Sequence, residues 1–319
     1  MLFLCSVLIH RRPPLFSYRR FIFLTDIGRV SFTTFSIVAF DYENADLGIA
    51  VESKFPAAGA TVPWLKAGVG AIAVQAGSNV SHGKRGLELL ERGYSATETL
   101  RALLQGDPLS TVSQIAVVDP KGHVVVHTGT ECHEWAGHVI GEGYSCQGNI
   151  LAGPQVVKAM ADAFMETSGE LVDRLLAALS AGQTAGGDRR GQQSAAIMVA
   201  RENRGYMGFT DRYVDLRVDD HERPIEELHR VFKVYDMTLL SREDPRSLLT
   251  IDSHIATTLQ RNLKKLGFYR GSITGEYDEP TKKALKDFIE NNNFENRFRE
   301  EGRIWKSILS YIEETARER

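Results

Sequence analysis

Thr33-Thr34-Phe35-Ser36-Ile37-Val38-Ala39-Phe40 reads as a strand that opens on hydroxyl side chains, and a polar turn from Asp41 to Asp46 returns the chain into a second strand, Leu47 to Lys54. β-Branched and aromatic residues on both sides of such a turn are the pattern of a hairpin. A hairpin that starts on Thr or Ser restricts the chemistry as well as the fold. One class of hydrolase uses such a residue as its nucleophile, with the chain's own freed α-amino group taking the proton. The same residues also suit an ordinary hairpin in which Thr is present for its β-propensity.

At 319 residues the chain is long enough for about two domains. A hydrophobic share of 43% beside 25% charged residues is that of a soluble globular protein. A formal net charge of −3 argues against a dedicated nucleic-acid binder, which carries a basic patch. The charge is uneven: residues 1–30 hold five Arg and one Asp, so they carry +4 and the remainder −7. Cys5, Cys132 and Cys146 make no disulfide framework, and none has a second Cys at metal-clamp spacing. Cys132 and Cys146 could pair, but free thiols in a reducing compartment are the simpler reading.

Met1 to Ile9 is apolar but short, no basic residue precedes it, and Arg11-Arg12-Pro13-Pro14 stands where small residues would precede a cleavage site. That is a poor signal peptide and too short for a membrane span. Residues 1–30 read as an extension: a disordered or membrane-surface arm, a cleaved pro-segment, or upstream sequence from a misplaced start. The last is favoured, because the segment has no periodicity that joins it to the domain behind it. Under either of the last two readings the mature chain begins close to Thr33 or Thr34.

Gly68 to Ala76 is a continuous run of small and apolar residues, suited to a strand buried on both faces. Two leucine-marked helices come next, the second opened by the capping box Ser95-Ala96-Thr97-Glu98. Val112 to Val118 and His123 to His127 form a hairpin around Asp119-Pro120-Lys121-Gly122, and Tyr144 to Gln147 is a further strand. Helices after Pro154 and from Leu171 to Leu179 lead to the glycine-rich loop Ala185 to Gly191, strands at 194–200 and 213–218, and a helix from about Pro224 to Tyr235. Strands are segregated from helices, which predicts an α+β domain over 31–240 with its elements in layers. A linker at 241–250 leads to a small module over 251–319, whose stripes Ile255/Leu259/Leu263/Leu266, Ala284/Leu285/Phe288 and Ile304/Trp305/Ile308/Leu309/Ile312 predict three helices. The module's 13 basic and 12 acidic side chains imply no single-sign surface.

Seven ordered stretches between residues 34 and 221 carry a family resemblance. They are Thr-Phe-Ser-Ile-Val-Ala at 34–39, Gly-Ile-Ala-Val-Glu-Ser-Lys-Phe at 48–55, Val-Pro-Trp-Leu-Lys-Ala-Gly-Val-Gly-Ala at 62–71 and Arg-Gly-Leu-Glu-Leu-Leu at 85–90, then Gln-Gly-Asn-Ile-Leu-Ala-Gly-Pro at 147–154, Ala-Gly-Gly-Asp-Arg-Arg-Gly-Gln-Gln-Ser-Ala-Ala at 185–196 and Asp-Leu-Arg-Val-Asp-Asp-His at 215–221. The domain resembles a prokaryotic family known as domain of unknown function 1028. The resemblance implies the N-terminal-nucleophile hydrolase fold, a four-layer αββα sandwich. Residues 252–316, through Leu259 to Leu263, Leu266 to Tyr269, Gly271, Gly275, Thr281 and Asn293 to Glu295, resemble a peptidoglycan-binding module. A plain three-helix bundle explains the same stripes, and fold does not fix function.

For such a fold the nucleophile belongs at the start of the first strand, which the resemblance assigns to Thr34. A neutral α-amine, with an ordinary pKa of about 7.7–8.0, has the right basicity to take its proton. Residues precede Thr34, so removal of the initiator Met alone would not expose it; Thr33, Ser31 or self-cleavage are alternatives, and without trimming the mechanism fails. The resemblance makes Lys66 a candidate to lower the nucleophile's pKa, with Lys54 a second; a solvated surface lysine is the other reading. Gly77-Ser78-Asn79 could offer N–H groups to an oxyanion and Asn149 its side chain, or both could be turn chemistry. Gly187, Asp188 and Arg189 suit a substrate with an ammonium and a carboxylate, unless Asp188 and an arginine merely brace the loop. Asp215, Asp219, Asp220 and His221 could be read as a metal cluster, but Asp219, Asp220 and His221 fit a helix-capping turn better, and His127, His133 and His138 have no regular ligand spacing.

The expected function is hydrolysis of an amide or peptide bond in a small amino-acid- or cell-wall-derived substrate, with no cofactor and no metal. The alternative is a non-catalytic ligand-binding scaffold with a C-terminal peptidoglycan-binding or protein-interaction module. The expected partner is a small amide or peptidoglycan fragment, not nucleic acid, with no membrane span; assembly as a homo-oligomer stays open. The poor export signal points to the cytoplasm, and a cell-wall module would point to the envelope.

Overall fold

A computed structural model describes residues 34–240 and 242–319. The expected extension at 1–30, the alternative nucleophiles Ser31 and Thr33, and Cys5 lie outside the described residues. The first hairpin forms as β1 (Thr34–Asp41) and β2 (Asp46–Ser53), antiparallel with Phe35 opposite Glu52. With β7 (Gly137–Gly141), β8 (Tyr144–Asn149), β9 (Ser194–Ala200) and β10 (Arg212–Val218) it makes a six-stranded antiparallel sheet in the order β10-β9-β2-β1-β8-β7. β3 (Pro63–Lys66), β4 (Gly70–Ala76), β5 (Ser113–Val118) and β6 (Val124–Thr128) make a four-stranded antiparallel sheet in chain order.

Alternation along the strands sorts the side chains into layers. Phe35, Ile37 and Ala39 of β1 pack with Cys146 of β8 and Ile197 of β9 under α3 (Gln155–Glu166), α4 (Leu171–Thr184) and α5 (Pro224–Leu239). Val38, Leu47, Ile49 and Val51 face the other way, onto Ala71, Ala73, Ala116 and Val118 of the smaller sheet. Ile72, Val74, Ile115 and Val117 point out from that sheet against α1 (Ser81–Glu91) and α2 (Ala96–Leu104). The order through the molecule is therefore helices, large sheet, small sheet, helices. The run at 70–76 is buried throughout, since helices cover one face and a sheet the other. The Ser95 box closes as expected: its hydroxyl accepts from Glu98 N at 3.3 Å while the Glu98 carboxylate accepts from Ser95 N at 2.9 Å.

The C-terminal residues form a mostly helical unit of α6 (Ser253–Leu266), α7 (Glu279–Asn291) and α8 (Lys306–Glu318) around Leu259, Leu263, Leu285, Phe288, Ile308 and Ile312. β11 (Leu248–Thr250) pairs with β12 (Arg303–Trp305), so Ile304 and Trp305, expected to start the last helix, sit on a strand instead. No side chain caps the N-terminus of α5; His221 Nδ1 accepts from Arg223 N at 3.0 Å just before it, and Asp220 accepts from Gln193. The mixed α/β class with antiparallel sheets and a helical C-terminal module is as the sequence predicts. Among the described residues no helix is long and apolar enough to cross a membrane.

Candidate active site

One end of the layer between the sheets is filled with alanine and valine, and the other with polar side chains. The polar end is where β1 begins. Thr34 is 1% exposed, and its Oγ1 donates to Ser53 Oγ at 3.2 Å. Two residues on, the Ser36 hydroxyl donates to Gln75 Oε1 at 2.6 Å and accepts from Gln147 Nε2 at 2.7 Å. Gln75 Nε2 donates to Gln114 Oε1 at 2.8 Å and reaches the Thr34 carbonyl at 3.4 Å. Asn149, opposite Thr34 in the β1–β8 register, donates from Nδ2 to Gln114 Oε1 at 3.3 Å, while its buried Oδ1 has no partner. Gln114 Nε2 in turn faces the carbonyls of Gly137 and Gly148 and the Thr128 hydroxyl. The strand parity that places valines between the sheets further along places these amides and hydroxyls around the first residue of β1.

Asp188 stands at the same end of β2. Its carboxylate accepts from Lys54 N at 3.1 Å and from Arg190 N at 2.9 Å, and its ion pair is with the Arg190 guanidinium at 3.3 Å. The loop-bracing reading of Asp188 thus holds, with Arg190 as the arginine, and its oxygens are already committed. Gly187 has φ +50, which lets the loop turn there, and its carbonyl accepts from Ala152 N. Arg189 is exposed and only its backbone is engaged, by Ile150 O. Glu52 is 0% exposed and, among the described residues, neither carboxyl oxygen has a hydrogen-bond partner. Burial first, and the Asp188 carboxylate second, push its pKa well above the ordinary range; the Gln193 backbone, Lys54 and Arg190 offset this in part.

Lys66 does not join this group. It ends β3 opposite Gly70, at the far end of β4 from Gln75, a separation of roughly 17 Å at the strand rise. There its ammonium pairs with Glu91 and half of its side chain is exposed. The expected tuning of Thr34 by Lys66 is corrected on that ground. Lys54 is the lysine at the Thr34 end, but its Nζ is held by Gln192 O at 3.0 Å. Gly77 N donates to Val112 O at 2.9 Å, and Ser78 Oγ both donates to Gln75 O and accepts from Gln114 N. These bonds make the Gly77–Ser78 turn a brace for the polar layer, with its Gly77 donor already spent. The structure brings Asn149, Asp188 and Thr34 to one end of the sandwich and leaves Lys66 at the other.

Ser53, Glu52, Gln75, Gln114 and Arg190 also belong to the site, and sequence reasoning passes over them. Gln75 and Gln114 do leave a signal, each being an amide inside an otherwise apolar strand. Asp215 is tied to Arg212 and Arg217, and among the described residues no group of three or more His, Cys, Asp or Glu side chains is placed to hold a metal. Cys132 and Cys146 are free thiols, and burial pushes both up. Among the described residues no imidazole or carboxylate contacts Thr34 Oγ1, so no side chain stands ready as its base.

Residues 34–228 match the model of a family described as "Family of unknown function (DUF1028)". Residues 238–312 match one described as "Putative peptidoglycan binding domain". Among solved structures, protein SPO2555 from Silicibacter pomeroyi, itself assigned to DUF1028, is similar with 28% identity and a TM-score of 0.59, over 64% of this chain and 89% of that one. No curated protein matches the chain. With more than half of its length matched by the first model, the chain belongs to the family of unknown function DUF1028 and carries a peptidoglycan-binding-like module behind it.

Proposed function

We propose that residues 34–240 are an amide hydrolase of the N-terminal-nucleophile type, active once the chain is opened before Thr34. The observation that carries this reading is the position of Thr34: at the start of β1, at the polar end of the layer between two sheets, with its hydroxyl on Ser53 and, among the described residues, no side-chain base beside it. Opening the chain supplies the missing base as the residue's own α-amine. The Thr34 oxygen then attacks an amide carbonyl, the amine takes its proton, and the Asn149 amide opposite, one hydrogen of which is on Gln114, has a second hydrogen to offer the developing oxyanion. Arg189 is exposed, with no partner for its guanidinium among the described residues, and suits a substrate carboxylate. Mass spectrometry of purified chain tests the processing, with a mature terminus at Thr34 expected. Amide-hydrolysis profiling of a chain that begins at Thr34 tests the chemistry. Thr34→Ala is expected to abolish turnover, a loss of at least about 1000-fold, and full activity in that variant would end the proposal.

A second reading is a silent ligand-binding scaffold, favoured by the near-complete burial of Thr34 in the chain as it stands. For the C-terminal module the likeness supports a cell-wall glycan as partner, and hence an envelope location over a cytoplasmic one. Co-sedimentation with isolated sacculi checks this: the full chain is expected in the pellet, and its retention in the supernatant would leave the module a packing unit.

A further inference from the structure

We propose that Glu52 is the counter-charge for the α-ammonium released when the chain is opened before Thr34, and that it positions this amine beside the Thr34 hydroxyl. The proposal rests on the N-terminal-nucleophile reading. Glu52 lies opposite Phe35 in the β1–β2 register and so shares the face turned to α3 and α4, whereas the Thr34 hydroxyl points between the sheets; the Thr34 nitrogen lies in the strand backbone between the two faces, one residue from Phe35. A carboxyl that is 0% exposed with both oxygens unpartnered is a costly thing to keep. Its neighbours do not account for it. Asp188 adds negative charge, Lys54 and Arg190, the facing cations, are engaged by Gln192 O and by Asp188, and the nearby Gln193 N–H brings no charge and already donates to Ser53 O. Phe35 and Ala195, opposite it on the flanking strands, bring no charge. A cation produced at the start of β1 supplies what the carboxyl lacks. The carboxyl then ionises and holds the ammonium of the resting chain at the strand end, where Ser53 already fixes the Thr34 hydroxyl; the neutral amine that takes the hydroxyl proton is the deprotonated member of this pair.

The test compares the full chain with a chain beginning at Thr34, which keeps β1 and every element that follows it. Reactivity of the Thr34 amine towards an acylating reagent, followed by mass spectrometry across pH, gives its apparent pKa. It is expected about one unit above the ordinary 7.7–8.0, back near that value in Glu52→Gln, and raised again in Glu52→Asp. The thermal midpoint gives an independent sign: at pH 7, Glu52→Gln should lower it in the chain that begins at Thr34 and should not lower it in the full chain. An amine that titrates alike in the parent and in Glu52→Gln, or a midpoint change of the same sign in both chains, overturns the pairing. Neither readout needs turnover. An inactive chain with a shifted amine sinks the hydrolase reading alone, and an active chain with an unshifted amine sinks the pairing alone.

Discussion

A buried carboxyl without partners makes stability depend on pH in a direction opposite to that of a salt-bridged one. Glu52 in the full chain has its pKa raised, chiefly by burial, so the folded state binds the proton more tightly than the unfolded state. Its contribution is fully present below the unfolded value of about 4.3 and is lost as pH rises towards the folded value. Glutamine keeps the shape and removes the titration. Glu52→Gln in the full chain is therefore expected to match the parent near pH 4 and to exceed it in stability at pH 7. Urea denaturation at both pH values measures it, and a difference that does not grow with pH would place the raised pKa in doubt.

The elements around Thr34 are joined by one side chain. Gln114 of β5 accepts from Gln75 on its own sheet and from Asn149 on the other, and its amide nitrogen faces Gly137 of β7, Gly148 of β8 and Thr128 of β6. Its amide has two hydrogens, so at most two of those three acceptors are served well at once. Gln114→Leu keeps the volume and leaves buried carbonyls and amides unpaired, which is expected to cost about 2–4 kcal/mol in urea denaturation. Loss of less than about 0.5 kcal/mol would mean that water replaces the amide. This network also marks what is readable from sequence. β4, α2 and α6 are legible because their apolar patterns and caps act locally. β7 and β3 are edge strands, and β11 and β12 hold three residues each; their identity comes from the strand beside them, not from their own composition. Thr34 is legible at the opening of its strand, whereas Asn149 lies two residues past the end that the sequence predicts for β8. Lys66 is misplaced by sequence because β3 is a separate strand that ends where β4 begins, away from Gln75. Glu52 and Gln114 act through partners distant in sequence, which no local pattern records.

At the scale of the whole molecule, the C-terminal module is tied to the sandwich through α5. Met237 of that helix packs in the module's core with Leu259 and Phe294. Arg297, 6% exposed, donates to the carbonyls of Asp236, Met237 and Leu240, the last turn of α5, and stands 3.5 Å from Glu243. Arg242 pairs with Asp173 of α4 as well as Asp236 of α5. A buried guanidinium whose acceptors are removed is left unpaired, and that costs more than the lost bonds alone. A cut at Ile251 takes away Met237, the carbonyls that Arg297 serves, Glu243 and the strand that pairs with β12. Residues 251–319 alone are therefore expected to melt at a lower temperature and less cooperatively than residues 224–319, which keep α5. Arg297→Met should narrow that gap, because it removes the charge that the cut leaves stranded. Circular-dichroism melts of the two fragments, each with and without the substitution, measure the coupling. Equal midpoints for the two fragments would show that the module stands without α5 and that the arginine is a surface of contact only.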